Sequence, residues 1–177
     1  GIIENHTGLR EALASTGREC VSATDTEVVA HLIDAAVSEG EDLLPAVQSV
    51  LPRLEGAYAL AVVNREAPDT IVVARQGSPL VLGVGIGENF AGSDTLALRS
   101  VTDTFVYLED GDVAEISADG YQILDSAGAP VNRLPTRLAT EFADGDLGEH
   151  EHFMLKEGFN RSQALKHILY KFFGKTS

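Results

Sequence analysis

Ser22-Ala23-Thr24-Asp25-Thr26-Glu27, with the apolar run of residues 28–37 behind it, is the stretch on which the reading of this chain turns. Thr24 and Glu27 have capping-box spacing, in which a hydroxyl and a carboxylate satisfy each other's free backbone N–H groups. That spacing predicts a helix start, with Val28, Val29, Leu32, Ile33 and Ala36 as the buried stripe. Asp25 then falls in the first turn, where the helix dipole favours an ionised carboxylate. Two readings stand side by side. Asp25 is a helix-start acid, or it is an acid poised to hold a ligand's ammonium group.

Composition bounds the alternatives. The 177 residues suffice for one domain with a core, and 44% hydrophobic with 23% charged residues is the balance of a globular protein. A net charge of −14 speaks against nucleic acid or an anionic membrane as partner. No apolar run is long enough to span a bilayer. Gly1-Ile2-Ile3-Glu4 has neither the basic flank nor the apolar stretch of a signal peptide. A single cysteine, Cys20, excludes an internal disulfide, and a cytoplasmic location is the simplest setting. The opening on Gly1, without Met, is expected of a fragment or a processed product.

Working outward, residues 4–15 read as a helix with Asn5 or Thr7 as cap and Gly17 as stop. Residues 19–22 are a short strand candidate leading to Asp25. The Asp25 helix should end at Gly40. A further helix over residues 42–54 carries Pro45 in its first turn and Pro52 as a late kink. Strand-length apolar runs then follow at 57–63, 70–74, 80–84, 89–92, 104–108, 113–116 and 121–124, with a turn over 64–69 and one helical turn near 95–99. Short turns imply antiparallel meanders, with the 104–108 and 113–116 strands meeting around the turn at 109–112. Helices first and strands after give an α+β class. Residues 125–148 look irregular, and the acids Glu141, Asp144, Asp146, Glu149 and Glu151 read as solvated loop. Five of the thirteen basic residues fall in the last 22 positions, where Leu165, Ile168, Leu169, Phe172 and Phe173 recur at helical spacing, so the tail reads as an amphipathic helix.

Other candidate chemistry is weaker. Gly83-Val84-Gly85-Ile86-Gly87 lacks dinucleotide-fingerprint spacing and reads as a glycine-rich hairpin. His150 and His152 flank Glu151 without a third ligand at helical offset, so no metal site is expected there. Cys20 reads as a small buried hydrophobe in a short strand. Ser78 and Ser93 lack a nucleophile-elbow context.

Six stretches taken together go further. Gly1-Ile2-Ile3-Glu4-Asn5-His6, Thr24-Asp25-Thr26-Glu27, Gly56-Ala57-Tyr58-Ala59, Arg75-Gln76-Gly77-Ser78-Pro79-Leu80, Gly87-Glu88-Asn89-Phe90 with Ser93-Asp94, and Tyr107-Leu108-Glu109-Asp110-Gly111-Asp112 occur in this order. They resemble the glutaminase domain of the glucosamine-6-phosphate synthases, the glutamine–fructose-6-phosphate aminotransferases, over residues 1–157. The resemblance implies an α+β N-terminal-nucleophile hydrolase fold, an αββα sandwich incomplete at its N-terminus. It implies L-glutamine as substrate, ammonia passed on for glucosamine 6-phosphate synthesis, and fructose 6-phosphate bound by a sugar-isomerase domain absent here. Asp25 would hold the substrate's ammonium group and Gly1 would lie at the oxyanion hole; no cofactor and no metal is called for.

The departures are equally specific. In the family pattern the nucleophilic cysteine, the arginine that grips the substrate carboxylate and the oxyanion-hole Asn all precede the position of Gly1. The fragment alone is therefore expected to be inactive. Lys156-Glu157-Gly158-Phe159-Asn160-Arg161-Ser162 departs from the family's Lys-Glu-Ile-aromatic-Glu-Gln-Pro. Residues 158–177 are expected to be an amphipathic tail or the start of a linker, with self-association through its apolar stripe and a homo-oligomer as an expected consequence. The competing class is a non-catalytic interaction or structural module that keeps the fold.

Overall fold

Among the described residues, apolar positions at helical spacing build three α-helices, α1 (His6–Ser15), α2 (Glu27–Ser38) and α3 (Leu43–Val50). In this computed structural model the described residues are 1–138. The acidic run from Glu141, His150, His152, the amphipathic tail and the boundary after Glu157 lie outside them. Asn5 precedes α1, yet its side chain does not cap it. Its Nδ2 donates to the Arg53 carbonyl at 2.8 Å and its Oδ1 accepts from the Glu55 N–H at 3.1 Å, tying the start of α1 to the chain before the first long strand. The expected helix over 42–54 changes type partway: α3 ends at Val50 and Leu51–Arg53 continues as a 3-10 turn holding Pro52. Proline has no N–H to continue the α-helical ladder.

Among the described residues ten strands follow the expected runs closely, with additions. They are β1 (Ile2–Ile3), β2 (Gly56–Asn64), β3 (Ala67–Gln76), β4 (Val81–Val84), β5 (Asn89–Gly92), β6 (Thr104–Tyr107), β7 (Val113–Ile116), β8 (Tyr121–Leu124), β9 (Pro130–Val131) and β10 (Thr136–Arg137). One sheet has the order β1-β2-β3-β7-β8-β9 and the other β10-β6-β4-β5. All pairings between these strands are antiparallel. Three expectations need correction. Residues 19–22 form no strand. The turn at 64–69 shrinks to residues 65–66, because β3 already begins at Ala67. Above all, β6 and β7 do not pair. The turn at 109–112 carries the chain from one sheet to the other, with β6 on β4 and β7 on β3.

The core explains this layering. Val28, Val29, Leu32 and Ile33 of α2, with Ala46, Val47 and Val50 of α3, pack on Tyr58, Leu60, Val72 and Ala74 of the larger sheet. Val28 and Val47 are fully buried, each worth about 1.5–3 kcal/mol of apolar burial. Val73, Ala114, Ile116 and Ile123 point the other way, onto Leu80, Leu82, Val106 and Leu108 along the smaller sheet. β3 is thus covered on both faces, which is why it reads as a continuous apolar run and not as an alternation. The far face of the smaller sheet places Val81 and Phe105 against Leu98, just after a 3-10 turn at Thr95–Ala97. The expected second helix layer is represented, among the described residues, by that turn alone.

The β1–β2 pair depends on glycine. Gly56 has φ +113°, and a Cβ there would lie 2.3 Å from the Ile2 carbonyl oxygen. Gly56→Ala therefore combines a left-handed backbone with a clash against a paired strand and should cost roughly 1–3 kcal/mol. Urea denaturation reads this directly; an unchanged midpoint would mean that β1 is not held where it is described.

Candidate active site

The loop before α2 is pegged from both sides. Glu27 Oε1 accepts from the Val21 N–H at 2.8 Å, and Oε2 accepts from the Ser22 N–H at 2.8 Å and the Ser22 hydroxyl at 2.7 Å. Arg10 donates to the Ser22 and Thr24 carbonyls at 2.8 and 2.9 Å. The capping box does not form. Thr26 occupies the cap position but its side chain makes no capping bond, and the Thr24 hydroxyl pairs with that of Ser22 at 2.7 Å. Glu27 turned back to the loop finds three donors, more than a box would give it.

The Ser22 hydroxyl first, then the Val21 N–H, hold the Glu27 carboxyl down at about 2, from an ordinary 4.5. A carboxyl depressed on folding contributes stability that is present above its unfolded value and lost as pH falls through the folded one. The window for Glu27 therefore runs from about 4.5 down to about 2. The stability difference between the parent and Glu27→Gln should be largest near neutrality and shrink across that window. Urea midpoints at several pH values measure it, and a pH-independent difference would remove the titration from the account.

Asp25 lies before α2, not in its first turn. Its carboxyl is held below the ordinary range chiefly by the Ile3 backbone N–H, which donates to Oδ2 at 2.7 Å, and further by the Thr26 hydroxyl, 3.3 Å from Oδ1. Hydrogen bonds to the charged form keep this acid ionised. Through Ile3 the acid is tied to β1, and hence to the chain start. Gly1, Ile3, Asp25, Thr26, Tyr58, Ala59 and Leu60 line one cavity of about 160 Å³. A Cβ on Gly1 would lie 2.3 Å from the Ala57 carbonyl oxygen, so the backbone there runs closer to β2 than any side chain permits. Gly1 and Asp25, singled out from the sequence, are thereby brought together. The lining from β2 was missed; the Gly56-Ala57-Tyr58-Ala59 stretch was its signal. Burial pushes the Tyr58 hydroxyl up. A larger cleft of about 640 Å³, between α3 and the turns at Gly111 and Gly128, shares only Tyr58 with this cavity and holds neither Gly1 nor Asp25.

The other candidates lie elsewhere. Cys20 is half-buried against the helix-side core, outside any strand. Ser78 and Ser93 follow β3 and β5 and do not line the cavity. In the glycine-rich hairpin between β4 and β5 only Gly87 has positive φ; a Cβ on Gly83 would lie 2.8 Å from Thr102 Cγ2, so that glycine serves close packing.

Two of the six sequence stretches prove to be one structural clamp. Arg75 donates to the Leu108 carbonyl and lies 3.2 Å from Asp110, whose Oδ1 accepts from the Gly77 N–H at 3.0 Å. Asp112 is buried, takes a bidentate bond from Arg133 at 2.9 Å on both arms, and accepts from the Glu109 N–H at 2.7 Å. The crossover between sheets is thus locked by charge pairs.

With this geometry in hand, comparison with known proteins is specific. The fold is that of the N-terminal-nucleophile hydrolases: it matches the glutamine phosphoribosylpyrophosphate amidotransferase from B. subtilis complexed with ADP and GMP, with a TM-score of 0.59 and 28% identity over 69% of this chain and 27% of that one. Residues 1–100 match the model of the family described as glutamine amidotransferase domain, and the chain belongs to that family. It is 50% identical over 169 residues to the isomerizing glutamine–fructose-6-phosphate aminotransferase of Pseudomonas syringae pv. tomato. It is 46% identical to that of Escherichia coli K12. Each alignment covers 96% of this chain and 28% of the relative, so the chain spans less than a third of the length of these curated relatives. Among the described residues no helix is long and apolar enough to cross a membrane.

Proposed function

We propose that this chain is the glutaminase part of a glutamine–fructose-6-phosphate aminotransferase, releasing ammonia from L-glutamine for glucosamine 6-phosphate synthesis. The observation that carries this reading is the shared cavity of Gly1 and Asp25. Asp25 receives the substrate ammonium: its oxygens carry the Ile3 N–H and Thr26 hydroxyl bonds and keep lone pairs for a further donor. The Gly1 backbone lies at the oxyanion hole, where an N–H donor stabilises charge developing on the amide oxygen. The nucleophile is a cysteine upstream of this sequence, activated by its own α-amino group. The relatives' names carry fructose 6-phosphate and an isomerizing activity; in this reading both belong to a separate domain of the whole protein.

Two measurements test this. The open reading frame around this sequence should encode a cysteine directly after the initiator methionine and an asparagine immediately before Gly1. The full-length product should form glutamate and glucosamine 6-phosphate from glutamine and fructose 6-phosphate. An upstream sequence without that cysteine, or a full-length product without glutaminase activity, would leave a structural module that has kept only the fold.

A further inference from the structure

Cys20, Glu27 and His31 converge where the loop meets α2, beside the cavity but outside it. Cys20 Sγ, a Glu27 carboxylate oxygen and a His31 ring nitrogen lie within 4.8 Å of one another, and all three residues are partly accessible. Glu27 and His31 stand one turn apart on α2, with Oε1 and Nε2 separated by 3.6 Å. We propose that these three side chains form a binding site for a single divalent cation of the zinc class. The donor set is thiolate, imidazole and carboxylate, the combination that selects a borderline-soft metal over magnesium or calcium. Zinc–ligand bonds of about 2.0–2.3 Å place neighbouring tetrahedral ligands roughly 3.3–3.8 Å apart. The Glu27–His31 pair already stands at that spacing. Cys20 lies in non-regular chain after α1, with its sulfur no more than 4.8 Å from the other two ligand atoms. The fourth position stays open to water.

The surroundings favour this assignment on balance. Arg10, the nearest described cation to the carboxylate, sits 4.0 Å from Glu27 Oε2, on the oxygen away from His31. The Val21 N–H uses one lone pair of Oε1 and leaves the other for the ion. Glu27 is already ionised, with its carboxyl at about 2. The net charge of −14 draws cations to the chain. As the sulfur–metal bond forms, the Cys20 thiol gives its proton to solvent, while neutral His31 binds through the Nε2 lone pair.

Cobalt(II) titrated into the full 177-residue chain tests the site. Because Cys20 is the only cysteine, a thiolate-to-cobalt charge-transfer band can report no other sulfur. The expected result is a band that saturates at one equivalent, is displaced by zinc and is absent in Cys20→Ser. In His31→Gln the apparent affinity should fall at least about tenfold. In the unmutated chain, zinc should slow alkylation of Cys20 at least about tenfold, a readout that does not depend on any variant folding. No charge-transfer band, a band indifferent to His31→Gln, or alkylation unchanged by zinc would each overturn the proposal. Zinc uptake that persists in Cys20→Ser with unchanged affinity would do the same, by placing the ion elsewhere.

Discussion

Asp25→Asn in the full-length protein that carries this sequence should lower kcat/KM for glutamine by roughly 2–4 kcal/mol, about 30- to 1,000-fold. The substitution is chosen for what it leaves in place. An Asn side-chain oxygen can still accept from the Ile3 N–H, so β1 keeps its anchor and the fold its shape. What disappears is the negative charge, and with it, under the proposed function, the partner of the substrate ammonium. Steady-state glutaminase kinetics with a parallel thermal melt separate the two effects. Unchanged kinetics would make Asp25 purely a latch for β1, and a collapsed melting temperature would show that the charge itself, and not only the acceptor, holds the strand.

The second large effect is on stability. Asp112→Ala removes a buried carboxylate that satisfies the Glu109 N–H and two arms of Arg133 at once. Breaking a buried ion pair from one side typically costs about 3–5 kcal/mol, because the remaining partner is left unpaired. Arg133 keeps 24% of its side chain in water and retains Glu109 at 3.0 Å, so the expected loss is about 3 kcal/mol, at the lower end of that range. Against a total stability of about 5–15 kcal/mol this is a large fraction. Chemical denaturation of parent and variant decides it. A loss near zero would mean that the Arg75–Asp110 pair and the turn's backbone bonds suffice to hold residues 109–112.

Legibility in the sequence followed the range of the forces involved. β2 and β3, α2, and the β7–β8 hairpin were readable because local periodicity and turn chemistry dictate them. The Thr24–Glu27 box was misread for a physical reason: spacing reveals that a carboxylate can reach a helix end, not that Val21 and Ser22 offer it better donors. β1 was invisible because two residues carry no alternation, and it exists only through pairing with Ala57 and Gly56. The false β6–β7 hairpin failed similarly. A Glu-Asp-Gly-Asp turn looks the same whether it closes a hairpin or crosses between sheets; the difference lies in the pairing of β6 with β4 and of β7 with β3, both distant in sequence. Of the candidate site, Asp25 and Gly1 were reached through resemblance. Their common cavity was not, since its floor comes from Tyr58 and Leu60 on a strand far away in sequence.

The tie between Ile3 and Asp25 also bears on how the molecule assembles. α1 to α3 and the β2–β3 hairpin involve near neighbours and can form early and quickly. β1 must instead close about fifty residues of chain onto Gly56 and Ala57, with two residue pairs, the Asp25 carboxylate and the ties of Glu4 and Asn5 to Arg53 and Glu55 to offset the closure entropy. The corner that unites Gly1 with Asp25 is therefore the natural last step of folding and the first to fray. Under the proposed function, competence to receive a ligand is then a property of the completed fold.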